Sequence, residues 1–348
     1  MWKEVVRYRP LSARCCNRAK VGARSERTNI QSLPIAHPAQ VEATAGASFP
    51  LAYSTAVLCW LLSAGVYIAA KSVAAEMPPW ALCFWRLVLA CAILLPVVHH
   101  HHGAMIGLIR SRSVEVLIIG AIGLTLCQGM IYTGLNYTDA TTAGIIMALS
   151  PILTMVLAHL VLGEPLGLWK ALGALLALAG MVVIVARADL AALMRLQFNP
   201  GELWIVGSAL CWALYTVLLR RSKFGIELLP MLVLLLGAGA LAALPFYLWE
   251  LFSGERSALH ANGLLALAYV AGPGGALMYY LYNRSVETLG AGRASMLLYL
   301  QTIFVAMLAY LFLGEGLHGY DLAGAAFIVA GVVFATAIKP KPRAAHVV

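Results

Sequence analysis

Apolar residues fill the chain in long runs, which short polar breaks separate. The runs are roughly 18 to 25 residues long, the length that an α-helix needs to cross about 30 Å of hydrocarbon. This pattern predicts an all-α polytopic membrane protein with ten transmembrane helices. The predicted helices cover residues 53–70, 80–98, 114–135, 140–161, 168–186, 202–219, 229–250, 262–282, 290–312 and 319–337.

Composition agrees with a chain that lipid solvates. Hydrophobic residues make up 61% of the sequence and charged residues only 11%, whereas soluble domains carry about 25% charged residues. The seven cysteines lie in the polar N-terminal segment or inside apolar runs, without metal-like spacing. They therefore indicate neither a disulfide framework nor a metal site.

The basic residues are distributed unevenly between the two sides of the predicted membrane. With a cytoplasmic N-terminus, 19 of the 24 Lys and Arg residues fall on the inner side and four on the outer side, and Arg86 lies within the second span. The positive-inside rule therefore predicts both termini in the cytoplasm and a multi-pass protein of the cell (inner) membrane. The net charge of +9 is then a topology signal and does not indicate nucleic-acid binding.

Two polar tails flank the apolar region. Residues 1–52 are basic and are interrupted by four prolines, and no apolar core of a signal peptide is present among them. We expect a disordered cytoplasmic tail, which either contacts anionic lipid or is a dispensable extension. Residues 338–348 form a short cytoplasmic tail.

The apolar region contains an internal repeat. At an offset of 151 residues, 14 of the 34 positions in 149–182 are identical in 300–333, and the matches include Gly173 with Gly324 and Gly180 with Gly331. The repeat divides the chain into halves at 53–186 and 202–337. Because each half has five predicted helices, an odd number, the second half must enter the membrane in the opposite orientation, as in the inverted repeats of secondary transporters.

The repeated positions carry recognisable motifs, followed in each half by Gly-Ala and Ala-Gly pairs. They are Leu149-Ser150-Pro151 and Leu162-Gly163-Glu164 in the first half and Leu313-Gly314-Glu315 in the second. A further motif, Trp85-Arg86-Leu87, lies in the second span, outside these aligned positions. In order and spacing the chain resembles the EamA-like branch of the drug/metabolite transporter superfamily. The resemblance implies ten helices, cytoplasmic termini and export of amino acids or other metabolites. In the second half, Gln301-Thr302 replaces the Ser-Pro pair of the first half, so the proline interruption is not repeated.

Helix-breaking residues predict where a cavity forms. Gly272, Pro273 and Gly274 interrupt the eighth span and Pro151 the fourth, and these are our candidates for gating or helix breaks. Gly123 in the third span is the repeat partner of Gly274. Freed backbone carbonyls and small residues at such interruptions line substrate sites near the bilayer midplane.

Polar and aromatic residues on these spans supply the candidate substrate contacts. The candidates are Arg86, Gln128, Tyr132, Ser150, Tyr279, Tyr299 and Gln301. They combine stacking area with a few hydrogen bonds, which suits an amphipathic solute. The alternative is that the tyrosines belong to an interfacial belt and Gln128 bonds a neighbouring helix.

Charged residues in or beside the spans have specific alternatives. Arg86 either binds a substrate carboxylate or lies near the outer end and snorkels to water. Glu164 and Glu315 either couple transport to protons or end their helices with a turn at the water interface.

The sequence lacks the motifs of a membrane enzyme and of ATP-driven transport. We therefore predict a non-enzymatic secondary transporter without cofactor or metal, whose partners are a small-molecule substrate and the bilayer, with a homodimer possible. Export of amino acids, related small metabolites or drugs by alternating access is the leading hypothesis. The alternatives are an importer, or a non-transporting accessory subunit or lipid translocator.

Overall fold

The computed structural model describes residues 38–164, 167–185, 200–254, 260–313 and 319–337. Residues 46–348 form one compact unit, and residues 1–45 form another, of which only the start of one helix is described. The predicted C-terminal tail, most of the predicted N-terminal tail and Glu315 lie outside the described residues.

Regular structure in these ranges is helical. The α-helices are α1 Pro38–Ser72, α2 Pro79–Leu94, α3 His102–Gly120, α4 Cys127–Leu135, α5 Ala140–Met147, α6 Ser150–Leu162, α7 Leu168–Val185, α8 Pro200–Ser222, α9 Leu228–Phe252, α10 Ala261–Ala271, α11 Met278–Leu289, α12 Ala291–Met296, α13 Tyr299–Leu313 and α14 Gly319–Ala337. α1 begins well before the predicted residue 53, so part of the segment that we expected to be disordered is helical. Alanine, glutamine and glutamate after Pro38 favour this extension.

Six helical segments of the described chain have the length and hydropathy of a membrane span. They are Leu51–Ser72, Pro79–Leu135, Pro200–Ser222, Leu228–Phe252, Ala261–Leu289 and Ala291–Phe312. Three shorter apolar helices, Ser150–Leu162, Ala171–Gly180 and Leu322–Gly331, lie in the predicted fourth, fifth and tenth spans. The protein is therefore a polytopic, helical membrane protein.

The 57-residue segment Pro79–Leu135 contains a reversal of the chain. A straight helix would separate Arg86 from Tyr132 by about 69 Å, yet the two side chains are hydrogen-bonded. The reversal lies between α2 and α4, where the 3₁₀ segment Leu95–His101 and the non-helical backbone of Arg112 interrupt the α-helical geometry. α2 and α4 are consequently antiparallel neighbours.

Two π-helical turns interrupt long helices at the offset of the sequence repeat. One covers Ala121–Leu126 between α3 and α4, and the other covers Gly272–Leu277 between α10 and α11. Each start and each end differs by 151 residues, as in the repeat. A π-turn changes the direction of backbone groups within a helix, and such turns occur frequently at functional sites.

The predicted fourth and ninth spans are also broken. α5 ends at Met147 and α6 begins at Ser150, with Pro151 in its first turn. α12 ends at Met296 and α13 begins at Tyr299, although no proline is present there. Tight turns lie at both breaks, because the amide of Leu149 donates to the carbonyl of Ile146 and the amide of Leu298 to the carbonyl of Ser295, each three residues back.

Glycines allow α7 and α14 to approach closely. A Cβ atom on Gly180 would lie 2.6 Å from the carbonyl oxygen of Gly324, and one on Gly331 would lie 2.5 Å from that of Gly173. These distances are shorter than a non-bonded contact, so only glycine permits this packing. Small residues promote the association of membrane helices in the same way.

We expect Gly180→Ala to lower the free energy of unfolding by about 1–3 kcal/mol, because the added methyl group meets backbone atoms that cannot move aside. Thermal unfolding of the protein in nanodiscs measures the change. Gly107→Ala is the matched control, since Gly107 lies in α3 with no atom within 4 Å of an added Cβ. Equal unfolding temperatures for the two variants would contradict the close packing of α7 and α14.

Candidate functional site

Arg86 on α2 lies fully buried in the membrane region. Its Nη1 donates to Oε1 of Gln128 at 2.7 Å and to the hydroxyl of Tyr132, and its Nη2 donates to the carbonyl oxygen of Gly274 at 3.1 Å. Within the described ranges, no carboxylate forms a salt bridge with it. The guanidinium charge is therefore solvated by neutral acceptors only, in the place where a charge is most costly.

The carbonyl of Gly274 reaches Arg86 from the π-turn between α10 and α11. A Cβ on Gly274 would lie 2.4 Å from Cγ2 of Val66, and a Cβ on Gly275 would lie 2.5 Å from the carbonyl of Val270. The glycines therefore admit the backbone where side chains would not fit. The predicted helix breaker thus supplies a backbone acceptor to a buried charge.

Aromatic rings surround this centre. The Cζ atom of Arg86 lies 5.8 Å from the ring centroid of Tyr132 and 5.5 Å from that of Tyr279, distances at which a cation attracts a π-system. The ring of Tyr279 lies 6.3 Å from Trp212, and Trp212 lies 6.0 Å from Trp60. Tyr282 packs against both tryptophans. We call the rings of Trp60, Trp212, Tyr279 and Tyr282 the aromatic wall.

A small internal cavity adjoins the centre. Gln128, Trp60, Trp212 and Gln301 are among its lining residues, and Oε1 of Gln301 accepts a hydrogen bond from Ser63 at 3.2 Å. The cavity has a volume of about 20 Å³, enough for about one water molecule. The site is thus closed around its own side chains in this conformation.

A larger cavity of about 730 Å³, which we call the basic vestibule, opens at one end of the helices. Its lining includes Arg220 and Arg221 in the last turn of α8, Lys223 just after α8, Glu164 after α6 and the buried Asn283 of α11. Oδ1 of Asn283 accepts a hydrogen bond from the hydroxyl of Tyr215 at 2.9 Å. Tyr215 in turn packs against Trp212 and Tyr282. The aromatic wall therefore separates the basic vestibule from the Arg86 centre.

The opposite end of α9 is closed by polar contacts to the backbone. Both carboxylate oxygens of the buried Glu250 accept hydrogen bonds from the first free amides of α2, those of Trp80 at 2.9 Å and Ala81 at 2.7 Å. Nζ of Lys71 donates to the carbonyls of Leu135 and Thr138. A carboxylate at a helix N-terminus and an ammonium at a C-terminus both complement the helix dipole.

The structure brings five of the predicted residues to one place, and it locates the others elsewhere. Arg86, Gln128, Tyr132, Gly274 and Tyr279 meet at the centre, and Gln301 lines the small cavity beside it. Ser150 is buried beside Pro151 at the start of α6, and its hydroxyl has no partner within the described ranges. Gly272 and Pro273 begin the π-turn that contains Gly274.

Two further predicted residues lie away from Arg86. The hydroxyl of Tyr299 donates to the carbonyl of Ala174 on α7 at 3.4 Å. Glu164 follows Gly163, whose φ of 65° ends α6 in a left-handed turn, and its carboxylate lies 3.9 Å from Nε of Arg220. Glu164 therefore has the position of a turn residue at the vestibule.

Sequence reasoning missed Glu250. The only available signal was a carboxylate close to the end of an apolar run, a position that ordinarily faces water. Its role depends on the N-terminus of α2, which lies about 170 residues earlier in the chain. No local pattern joins the two segments.

Comparison with known proteins identifies the family. A model described as the EamA-like transporter family matches the chain twice, over residues 50–186 and 199–337. The chain belongs to the EamA-like transporter family. Curated relatives include the uncharacterized transporter YyaM of Bacillus subtilis (strain 168), which is 25% identical over 81% of this chain and 92% of its own length. The resemblance to the drug/metabolite transporters is thereby confirmed.

One further curated relative and one solved structure are also similar to this chain. A protein of Rickettsia prowazekii (strain Madrid E) that is named S-adenosylmethionine uptake transporter is 22% identical, over 80% of this chain and 91% of its own. A solved crystal structure matches with a TM-score of 0.65 and 21% identity, over 84% of this chain and 98% of that chain. This likeness concerns the fold.

The two EamA copies both contribute to the Arg86 centre. Arg86, Gln128 and Tyr132 come from the first matched segment, and Gly274 and Tyr279 come from the second. Hydrogen bonds of the guanidinium group therefore join the two copies. A movement of one EamA copy against the other would change this site directly.

We expect Glu250→Gln to destabilise the closed end by about 1–3 kcal/mol, because the amide group turns a second donor towards one of the two α2 amides. The midpoint of thermal unfolding in nanodiscs measures the effect. Glu115→Gln is the control, since Glu115 forms only a surface pair with Arg112. If both variants unfold at the wild-type temperature, Glu250 does not stabilise α2.

Proposed function

We propose that this EamA-like protein is a secondary carrier that exports small amphipathic metabolites by alternating access. In this proposal ten helices form two inverted five-helix repeats, and rocking of the repeats exposes the Arg86 centre to either side of the membrane. The observation that carries it is the buried guanidinium group. Its acceptors come from both EamA copies, and one of them, the carbonyl of Gly274, lies in a π-turn. Intramembrane charges of this kind belong to substrate pathways.

Reciprocal contacts support the inverted arrangement. Gly180 packs on Gly324, and their repeat partners Gly331 and Gly173 pack on each other. Such exchange of partners is what a two-fold axis produces, since residue i contacts j and the equivalent of i contacts the equivalent of j. Trp60 and Trp212, aligned at an offset of 152, also contact each other. An axis that passes near both contacts explains them together.

We infer the direction of transport from the predicted topology. The positive-inside prediction puts both termini and the basic vestibule on the cytoplasmic side of the inner membrane. The closed end, with Glu250 and Lys71, then faces outward. A vestibule that is open to the cytoplasm receives solutes from inside the cell, which favours export. The relative named as an uptake transporter makes import the main alternative, with a non-transporting accessory subunit or a lipid translocator behind it.

Untargeted metabolite profiling of the medium tests this function in cells that overexpress the protein. We expect one or more metabolites to accumulate outside, and we expect Arg86→Ala and Tyr279→Ala to reduce that accumulation by about tenfold or more at matched protein levels, because each removes a contact of the buried site. Arg110→Ala is the matched control, since Arg110 is exposed on α3. Depletion of a solute from the medium would indicate import, and no change in any solute would contradict transport.

A second experiment addresses the energy source. We expect Glu164→Gln to leave the response of flux to an imposed proton gradient unchanged in proteoliposomes, because this carboxylate is 28% exposed beside Arg220 and ends a helix. The repeat-related Glu315→Gln is expected to behave in the same way. Loss of the gradient response in either variant, with exchange flux retained, would identify a coupling carboxylate instead.

A further inference from the structure

Among the buried donors that have no hydrogen-bond partner in the part of the chain that the structure describes, four lie on α2, α8 and α11. They are Nε of Arg86, the hydroxyl of Tyr279, Nε1 of Trp212 and Nδ2 of Asn283. Each of these residues is at most 3% exposed. An unpaired buried donor costs free energy, and native proteins retain few of them. Four within one region therefore indicate that a partner is supplied from outside the chain.

These donors lie along one continuous route. The Cζ atom of Arg86 is 5.5 Å from the ring centroid of Tyr279, and the rings of Tyr279 and Trp212 are 6.3 Å apart. The ring centroids of Trp212 and Tyr215 are 5.5 Å apart, and the hydroxyl of Tyr215 donates to Oδ1 of Asn283. Asn283 lines the basic vestibule. A solute that passes from the vestibule to the centre would meet each unpaired donor in turn.

The chemistry of the donors selects the partner. Guanidinium, indole and amide N–H groups donate only, and the Tyr279 hydroxyl can also donate. A carboxylate offers two oxygens with about four lone-pair positions. Its negative charge would also serve as the counterion that Arg86 does not have among the described residues. A cationic solute would bring a second positive charge beside Arg86 in a medium of low dielectric constant, which is unfavourable.

The walls and the vestibule favour the same class of solute. The rings of Trp60, Trp212, Tyr279 and Tyr282 form an apolar surface on which a planar or hydrocarbon portion can stack. Arg220, Arg221 and Lys223 at the vestibule exceed the two carboxylates there, Glu164 and Glu287, by one charge. A cleft with an excess of one sign of charge raises the local concentration of the opposite ion.

We propose that the Arg86 centre binds the carboxylate of an amphipathic organic anion, with the apolar part of the solute against the aromatic wall. This inference rests on the proposed function, and it narrows the substrate to carboxylates and excludes lipophilic cations. Binding occurs when the helices around the small cavity separate, since that cavity holds about one water molecule in the present conformation.

Three probes with the same ring and chain length test the inference: 3-phenylpropionate, 3-phenylpropionamide and 3-phenylpropylamine. Isothermal titration calorimetry with the full-length protein in nanodiscs at pH 7 measures each affinity. We expect the carboxylate to bind about tenfold more tightly than the amide, and the amine to bind more weakly than both. Equal affinity for the carboxylate and the amide, a preference for the amine, or no binding of the carboxylate would overturn the proposal.

Variants assign the preference to the centre. Arg86→Gln is expected to remove the preference for the carboxylate over the amide, Arg86→Lys to retain part of it, and the exposed control Arg110→Gln to leave it unchanged. Tyr279→Phe removes only an unpartnered hydroxyl, so it should unfold at or above the wild-type temperature and bind the carboxylate about threefold to tenfold more weakly. If Arg86→Gln does not fold, Tyr279→Phe decides. A wild-type preference in Arg86→Gln, or wild-type affinity of Tyr279→Phe for the carboxylate if Arg86→Gln does not fold, overturns the assignment.

Proteoliposomes separate this inference from the proposed function. Saturable flux of 3-phenylpropylamine, with none of the carboxylate, would retain the carrier and reject the anion site. Binding of the carboxylate that depends on Arg86, without counterflow of any probe, would retain the anion site and reject the carrier. Carboxylate flux that is lost in Arg86→Gln would support both.

Discussion

A guanidinium group inside the membrane region must obtain its hydrogen-bond acceptors from the protein, because hydrocarbon offers none. Arg86 obtains three: the Gln128 amide, the Tyr132 hydroxyl and the Gly274 carbonyl. The last of these exists as a free acceptor because a π-turn and glycines interrupt the helix there. One buried charge thus binds an interrupted helix at Gly274 and joins the two EamA copies.

These interruptions also explain why the centre can serve a carrier. Continuous helices satisfy their own backbone groups and leave nothing for a solute to bind. Residues at or beside these breaks line the same small cavity: Gln128 and Met278 just after the two π-turns, and Met147 and Leu298 at the breaks before α6 and α13. The aromatic wall then keeps water from the vestibule away from that cavity. Polar chemistry is confined to a small volume and is accessible only through movement.

The sequence predicted much of this arrangement, because membrane proteins obey few and strong rules. Apolar runs predicted the helices, and the cost of an intramembrane charge singled out Arg86. The repeat indicated that Gly274 occupies the same place as Gly123. Tyr299 and Glu250 escaped such reasoning, since their contacts depend on the rotation of each helix about its axis, which packing determines. The break before α13 was likewise hidden, because no proline marks it in the sequence.

The contacts at the two ends and in the middle differ in how readily they can be exchanged. Glu250 and Lys71 bind backbone groups at helix ends, where water can supply replacement hydrogen bonds to both partners when the end opens. The packing of Gly180 on Gly324 between α7 and α14 has no such substitute, because separation would leave apolar surfaces and close van der Waals contacts unmade. Opening therefore has a preferred place. In the proposed carrier, the helix ends would separate, the glycine contact would persist as the pivot, and the Arg86 centre would change its exposure.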